Sequence, residues 1–342
     1  MAMKVLLLGG TRFLGRHLVT ALQAAGHAVT LFNRGRTAPG LYAGSSAGWS
    51  SPIEQLRGTR DGDLAALAGR RWDAVIDTCG YVPRVVRQSA EALRGAVGCY
   101  LFVSSISVYA DDAAAGQDEN APVAALSNPA SEDIGRDYGA LKAACEQVVS
   151  QVFGSRALHV RPGLIVGPWD PTGRFTYWVD RLARGGEVLA PAPAEAPVQL
   201  IHAADLAAFI VRLLEDEASG VFNATGPQPA ATFAQMLDAC RTTRAAQITW
   251  VAPEFLLAQQ VEPWSNLPLW LPADSVGTLQ VDISRARAAG LQQRSLAETA
   301  AATLAWRMSA EGAAFALDAN WTSVGLTAER EAELLAAWRQ QP

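Results

Sequence analysis

Lysine is almost missing from this chain. Of its 28 basic residues, two are lysine, Lys4 and Lys142, and the rest are arginine. Cysteine is scarce too. The four cysteines (Cys79, Cys99, Cys145, Cys240) form no Cys-x-x-Cys pair and stand in apolar contexts. That excludes a disulfide framework and reads as reduced core thiols. The four histidines (His17, His27, His159, His202) share no ligand spacing with one another or with the cysteines, so no metal site is expected. No basic run exceeds a few residues and the net charge is −5, which argues against a nucleic-acid partner. No apolar stretch reaches the length of a membrane span. The apolar run before Gly9-Gly10 is too short for a signal peptide, so a cytoplasmic location is expected. With half its 342 residues hydrophobic and no low-complexity tract, the chain has the material for a large core.

What is present gives that single internal lysine a meaning. Lys142 closes the segment Tyr138-Gly-Ala-Leu-Lys142. Residues four apart on a helix share a face, about 5–6 Å apart between Cβ atoms. An ammonium there can lower the pKa of a phenol toward the working range of a general acid or base. Arginine, broader and forked, does not replace such a point charge. Near the N-terminus, Lys4–Gly10 reads as a buried strand running into glycine. It continues into Thr11-Arg12-Phe13-Leu14-Gly15, then a helical pattern to Gly26, then the strand Ala28–Phe32. This is a βαβ unit whose first turn carries glycines at 9, 10 and 15. Such a turn lets the backbone approach a pyrophosphate at a helix N-terminus.

Further strands are expected at Ile53–Arg57, Asp73–Thr78, Tyr100–Ser104 and Leu158–Arg161. Helical patterns lie near Leu64–Ala68, Val85–Val97 and Ile134–Phe153. The alternation implies an α/β fold, a Rossmann-type doubly wound parallel sheet. Residues 1–165 are expected to form this domain, with a returning segment near 198–226 that includes a strand at Val198–His202. Residues 166–342 are expected to form a smaller substrate lobe, interleaved in sequence and folded over the sheet's carboxyl edge. Ser295–Glu298 has the pattern of a capping box and Thr327 that of a helix start. Trp169, Trp178, Trp264 and Trp270 suit either a ligand pocket or simple packing.

Together the glycine turn, Tyr138 and Lys142 resemble those of the extended and atypical short-chain dehydrogenase/reductases, the NAD-dependent epimerase/dehydratase group. Phe102-Val103-Ser104-Ser105-Ile106-Ser107-Val108-Tyr109 resembles the family's fifth strand and following loop. Arg161-Pro162-Gly163 with Val166-Gly167-Pro168 resembles its turn after strand six, and Leu200–Ala207 and Phe222–Gly226 its later segments. The resemblance implies that Tyr138 is the acid/base at a substrate oxygen and that Lys142 binds the nicotinamide ribose. It implies that Ser105 hydrogen-bonds the same substrate oxygen. It also places Gly9, Gly10, Thr11, Arg12, Phe13, Leu14, Gly15, Asn33, Ser104, Arg161, Pro162 and Gly163 at the cofactor, and Ser107 at the substrate; apart from the resemblance, Arg174, after the Gly167-Pro168 turn, is a candidate to hold a substrate phosphate. The substrate class it implies is a sugar or nucleotide sugar, and it is compatible with a homodimer.

Three departures refine this expectation. Arg12 stands where the family's turn has its central glycine, which points to an atypical Gly-Gly-x-x-x-x-Gly branch. After strand two, Phe32-Asn33-Arg34-Gly35-Arg36 lacks the carboxylate that pairs with an NAD ribose. Arg34 and Arg36 there suit a 2′-phosphate, so NADP is expected ahead of NAD. The acidic pair that sugar-nucleotide dehydratases carry after the catalytic serine is here Ile106-Ser107, so elimination is not expected. The alternatives are an NADPH-dependent reductase of a non-sugar carbonyl and an RNA-associated or regulatory dinucleotide-binding protein.

Overall fold

Lys4–Leu8 has the length and apolarity of one central strand, and it forms β1, buried from Val5 onward. The structure, a computed structural model, describes residues 1–42, 52–241, 245–317 and 324–341. Around β1 lie β2 (Ala28–Asn33), β3 (Glu54–Arg57), β4 (Trp72–Asp77), β5 (Val97–Val103) and β6 (Ala157–Pro162). With Gly220–Ala224 they form a seven-stranded sheet whose pairings are all parallel. Its order is Gly220–Ala224, β6, β5, β4, β1, β2, β3. The order reverses at β1, which puts the topological switch point of a doubly wound sheet at the β1–β4 boundary.

Successive strand residues face opposite sides, so each face of the sheet needs its own cover. Leu6 and Leu8 join a core with Val86, Ala90 and Leu93 of α2 (Pro83–Leu93) and Cys145 and Val149 of α3 (Ile134–Phe153). The opposite face carries α1 (Leu14–Ala24), packed on the helix Ala203–Glu215.

The chain divides into two units. The first comprises Met1–Gly163, Ala203–Thr225 and Val281–Gln292, and the second Leu164–His202, Gly226–Gln280 and Gln293–Pro342. In the second, Gly186–Pro191 pairs in parallel with Ala246–Val251. There α4 (Arg174–Arg184) buries Phe175, Trp178, Val179 and Leu182 in a core that includes Phe233 and Trp270. Trp178 and Trp270 are therefore packing residues. The capping box at Ser295 and Glu298 is formed, and Thr327 caps Ala328–Trp338.

Some boundaries differ from expectation. The segment near Leu64–Ala68 makes one 3₁₀ turn, Ala65–Leu67, because Gly62 and Gly69 bracket it too closely for a helix. The helix expected at Val85–Val97 starts at Pro83 and ends at Leu93, and Val97 already belongs to β5. Val198–His202 is split at Gln199: Pro197–Val198 pairs antiparallel with Ala231–Thr232, and Leu200–His202 pairs parallel with Leu164–Val166.

Candidate active site

The first turn explains its own glycines. Gly9 and Gly10 take φ of +114° and +95°, where L side chains are strained. At Gly15 a Cβ would stand 2.7 Å from the Gly10 Cα, so only glycine lets α1 start this close to the turn. α1 has no side-chain N-cap; the Gly15 and Arg16 N–H groups turn back to the Arg12 and Phe13 carbonyls, and the Leu14 N–H, which makes no hydrogen bond among the described residues, is left for an anion. Thr11 and Leu14 are buried and Arg12 is exposed, while Phe13 enters the helix at φ 31°. The Tyr42 hydroxyl, buried, donates to the Gly10 carbonyl at 3.0 Å and braces the turn. These residues fit the pyrophosphate of a dinucleotide.

At the end of β2, Asn33 organises the loop rather than presenting a carboxylate. Its Nδ2 donates to the Gly9 carbonyl at 3.2 Å, and its Oδ1 accepts from the Gly35 N–H and from Arg57. Arg34 and Arg36 are exposed and make no ion pair among the described residues. Asp61 lies at the surface in an ion pair with Arg84.

Beneath this turn lies a network that the sequence reading missed. Asp77, fully buried at the end of β4, accepts both Arg60 Nη groups at 2.6 Å each. It also accepts from the Tyr100 hydroxyl at 2.8 Å and the Cys79 N–H at 3.1 Å. Arg60 donates further to Ser89 Oγ at 2.9 Å. A bidentate, multiply hydrogen-bonded pair of this kind can hold a charge inside a core. The available signal was an acid, Asp77, directly after the apolar run Ala74-Val75-Ile76.

Ser105 caps the short turn Ile106–Val108. Its Oγ accepts the Ser107 N–H and donates to Ser107 Oγ, both at 3.1 Å. Ser104, beside it, is buried and its N–H donates to the Val160 carbonyl at 2.7 Å. Helix α3 approaches this turn so closely that a Cβ on Gly139 would stand 1.9 Å from the Ser107 carbonyl oxygen. Gly139 thus sets the spacing between the Ser105–Ser107 turn and its neighbour Tyr138, a requirement the Tyr-x-x-x-Lys spacing does not reveal. Tyr138 is half-buried and follows a break in helical geometry at Asp137.

Lys142 is 3% exposed. Its Nζ donates to the carbonyls of Gly80 and Val103 at 2.7 Å each, and sits 4.2 Å from the Phe102 ring centroid. Burial pushes its pKa down to about 8, with the nearby acidic groups opposing that shift. The two carbonyls explain why a charge is tolerated there, and they fix the ammonium at the carboxyl ends of β4 and β5. An ammonium has three donors, and the two carbonyls take two of them.

Arg161 does not fit the expected cofactor contact through its side chain. Its guanidinium holds Glu146 at 2.9 and 2.7 Å and reaches the Tyr109 hydroxyl at 3.2 Å and the Glu119 carbonyl at 3.3 Å. Tyr109 in turn donates to Asn223 Oδ1 at 2.7 Å. Buried arginine needs such partners, and here it ties α3, β6 and Gly220–Ala224 together. Pro162 ends β6. Gly163 follows it where a Cβ would meet Thr225 Oγ1 at 2.2 Å, so the backbone of this turn is what remains to face a ligand. In the second unit, Arg174 opens α4 and lies 4.7 Å from the Trp264 ring.

A family model for the NAD dependent epimerase/dehydratase family matches residues 5–96 and 84–225. The chain belongs to that family. It is 31% identical over 247 residues to the chloroplast stem-loop binding protein of 41 kDa b from Arabidopsis thaliana, covering 69% of this chain and 62% of that protein. It is 31% identical over 231 residues to the 2'-dehydrokanamycin reductase of Streptomyces kanamyceticus, covering 64% and 60%. The matches therefore span less than two thirds of either relative. In fold it is similar to the Bordetella bronchiseptica enzyme WbmG, solved with NAD and UDP, at a TM-score of 0.67, 18% identity, and 90% and 95% coverage. It is also similar to the UDP-glucuronic acid 4-epimerase of Bacillus cereus, solved with NAD, at a TM-score of 0.62, 17% identity, and 94% and 100% coverage.

Proposed function

We propose that this chain is an NAD(P)-dependent oxidoreductase that moves a hydride at a carbinol or carbonyl carbon of a sugar or nucleotide sugar. The observation that carries this reading is Lys142: a buried ammonium, held by two backbone carbonyls, one helical turn from the half-buried Tyr138. The nicotinamide group, when bound, supplies or accepts the hydride. Tyr138 holds or releases the proton of the substrate oxygen, and the Lys142 charge favours the phenolate form. Ser105 orients that oxygen, and Ser107, hydrogen-bonded to it, keeps the serine in place. Arg174 and Ser107 are the further substrate contacts in this reading. Arg34 and Arg36, exposed at the end of β2 where a carboxylate would favour NAD, support NADP as the cofactor.

With Ile106 and Ser107 in place of an acidic pair, the reaction is redox without loss of water, either epimerisation through a ketone or net reduction. The 2'-dehydrokanamycin reductase relative supports the second of these. RNA binding, after the stem-loop binding relative, ranks lower because the net charge of −5 opposes attraction to phosphates. The test is incubation with a panel of nucleotide sugars and ketosugars plus NADPH or NAD, read by nicotinamide absorbance and by mass spectrometry. Tyr138→Phe should lose roughly 10²–10⁴-fold in turnover while keeping its cofactor affinity. Near-normal turnover in Tyr138→Phe would remove the assignment, and a product lighter by one water would overturn the ranking of reaction types.

A further inference from the structure

Tyr81, which the functional reading leaves unused, stands beside the residues proposed to do the chemistry. It follows Gly80, whose carbonyl accepts from the Lys142 ammonium. Its ring centroid is 6.5 Å from that of Tyr138, with the planes tilted by 40°, and Lys142 Nζ lies 5.3 Å from the centre of the Tyr81 ring. The side chain is 42% exposed. Its hydroxyl makes no hydrogen bond among the described residues, whereas the buried hydroxyls of Tyr42, Tyr100 and Tyr109 each donate to an acceptor.

The strand order says what would cover it. A dinucleotide is held at its pyrophosphate by the turn after β1. The adenosine half belongs over β2 and β3, where Asn33, Arg34 and Arg36 stand. The other half must run the opposite way, across the carboxyl ends of β4 and β5. Adjacent parallel strands are about 4.8 Å apart, so the loop after β4 is the first that half meets. Tyr81 is in that loop, between the glycine turn and Tyr138. We propose that the exposed face of Tyr81 receives the nicotinamide-ribose half of the dinucleotide and is a positioning residue for hydride transfer. This rests on the dinucleotide reading above. The ring acts by contact rather than by proton transfer: a phenol, with an ordinary pKa of about 10, is neutral near pH 7.

The test separates the two halves of the ligand. Affinities of wild type, Tyr81→Ala and Tyr81→Phe are measured for NADPH against adenosine 2′,5′-bisphosphate, and for NADH against ADP. Tyr81→Ala should weaken whichever full dinucleotide the wild type binds by roughly three- to tenfold, the size of one aromatic contact. It should leave the corresponding half-molecule within about twofold, below what one such contact is worth, and Tyr81→Phe should resemble wild type. An equal loss for the dinucleotide and its half, or no loss for either, would overturn the proposal. If wild type binds the adenosine compounds and neither dinucleotide, the proposal fails with the functional reading. If dinucleotides bind and Tyr81→Ala is silent, the proposal fails alone.

Discussion

Two glycines on one helix make opposite predictions, and the contrast tests the geometry on which the site depends. Gly135 and Gly139 both lie in α3. Replacing a helical glycine by alanine is favourable by up to about 1 kcal/mol when nothing opposes the added methyl. At Gly135 little does, since the nearest atom to a Cβ is Asp133 Oδ1 at 3.4 Å. At Gly139 the Cβ would be 1.9 Å from the Ser107 carbonyl oxygen, against a floor of 3.0 Å, so one backbone must move by about 1.1 Å. No rotamer relieves a clash between two main chains. Overpacking of this kind costs about 1–3 kcal/mol, which outweighs the helical gain. The same displacement separates the Ser105–Ser107 turn from Tyr138, and misplacement by about 1 Å costs roughly 10²-fold in rate. Urea denaturation followed by circular dichroism should therefore shift in opposite directions for Gly135→Ala and Gly139→Ala. The second variant should also lose turnover with Tyr138 and Lys142 both intact. A Gly139→Ala protein as stable as wild type would show that α3 does not press on this turn, and the arrangement around Tyr138 would have to be redrawn.

Cofactor choice is expected to follow the arginines after β2. NADPH should bind more tightly than NADH, and Arg34→Ala should cost NADPH roughly tenfold, the worth of one charge-assisted hydrogen bond, while sparing NADH. An unchanged ratio in a fluorescence titration would remove the phosphate argument. Asp77→Asn should destabilise the protein by about 3–5 kcal/mol by leaving Arg60 charged and unpaired in the core. Adding Arg60→Met should restore part of that loss, and calorimetry that finds no rescue would contradict the pair's role. Burial pushes His159 down to about 4, against about 6.5 in an unfolded chain. Between these values the unfolded state binds more protons. The stability associated with the neutral ring is thus present above pH 6.5 and is lost as pH falls toward 4, by up to ~3 kcal/mol. Denaturation midpoints across that range should fall less steeply for His159→Gln, and parallel curves would refute the assignment.

The sequence by itself determined six of the seven strands of the sheet, all but Gly220–Ala224, and the glycine turn after the first of them. Apolar runs of strand length, the glycines at 9, 10 and 15, and a lone lysine four residues after a tyrosine are local patterns. Their meaning follows from backbone geometry and side-chain reach, which any copy of the segment carries with it. What only the tertiary structure decided is who meets whom across long stretches of chain. Arg161 looks from its position like a cofactor residue, but Glu146, Tyr109 and the Glu119 carbonyl come from three other places in the sequence to occupy it. Arg60 becomes a buried cation because Asp77 and Tyr100 converge from two strands. Gly139 is indispensable because of a carbonyl 32 residues earlier, and Tyr81 reaches Tyr138 across a gap of 57. Such burial and close approach depend on the packing of whole elements, and no spacing rule within one segment contains them.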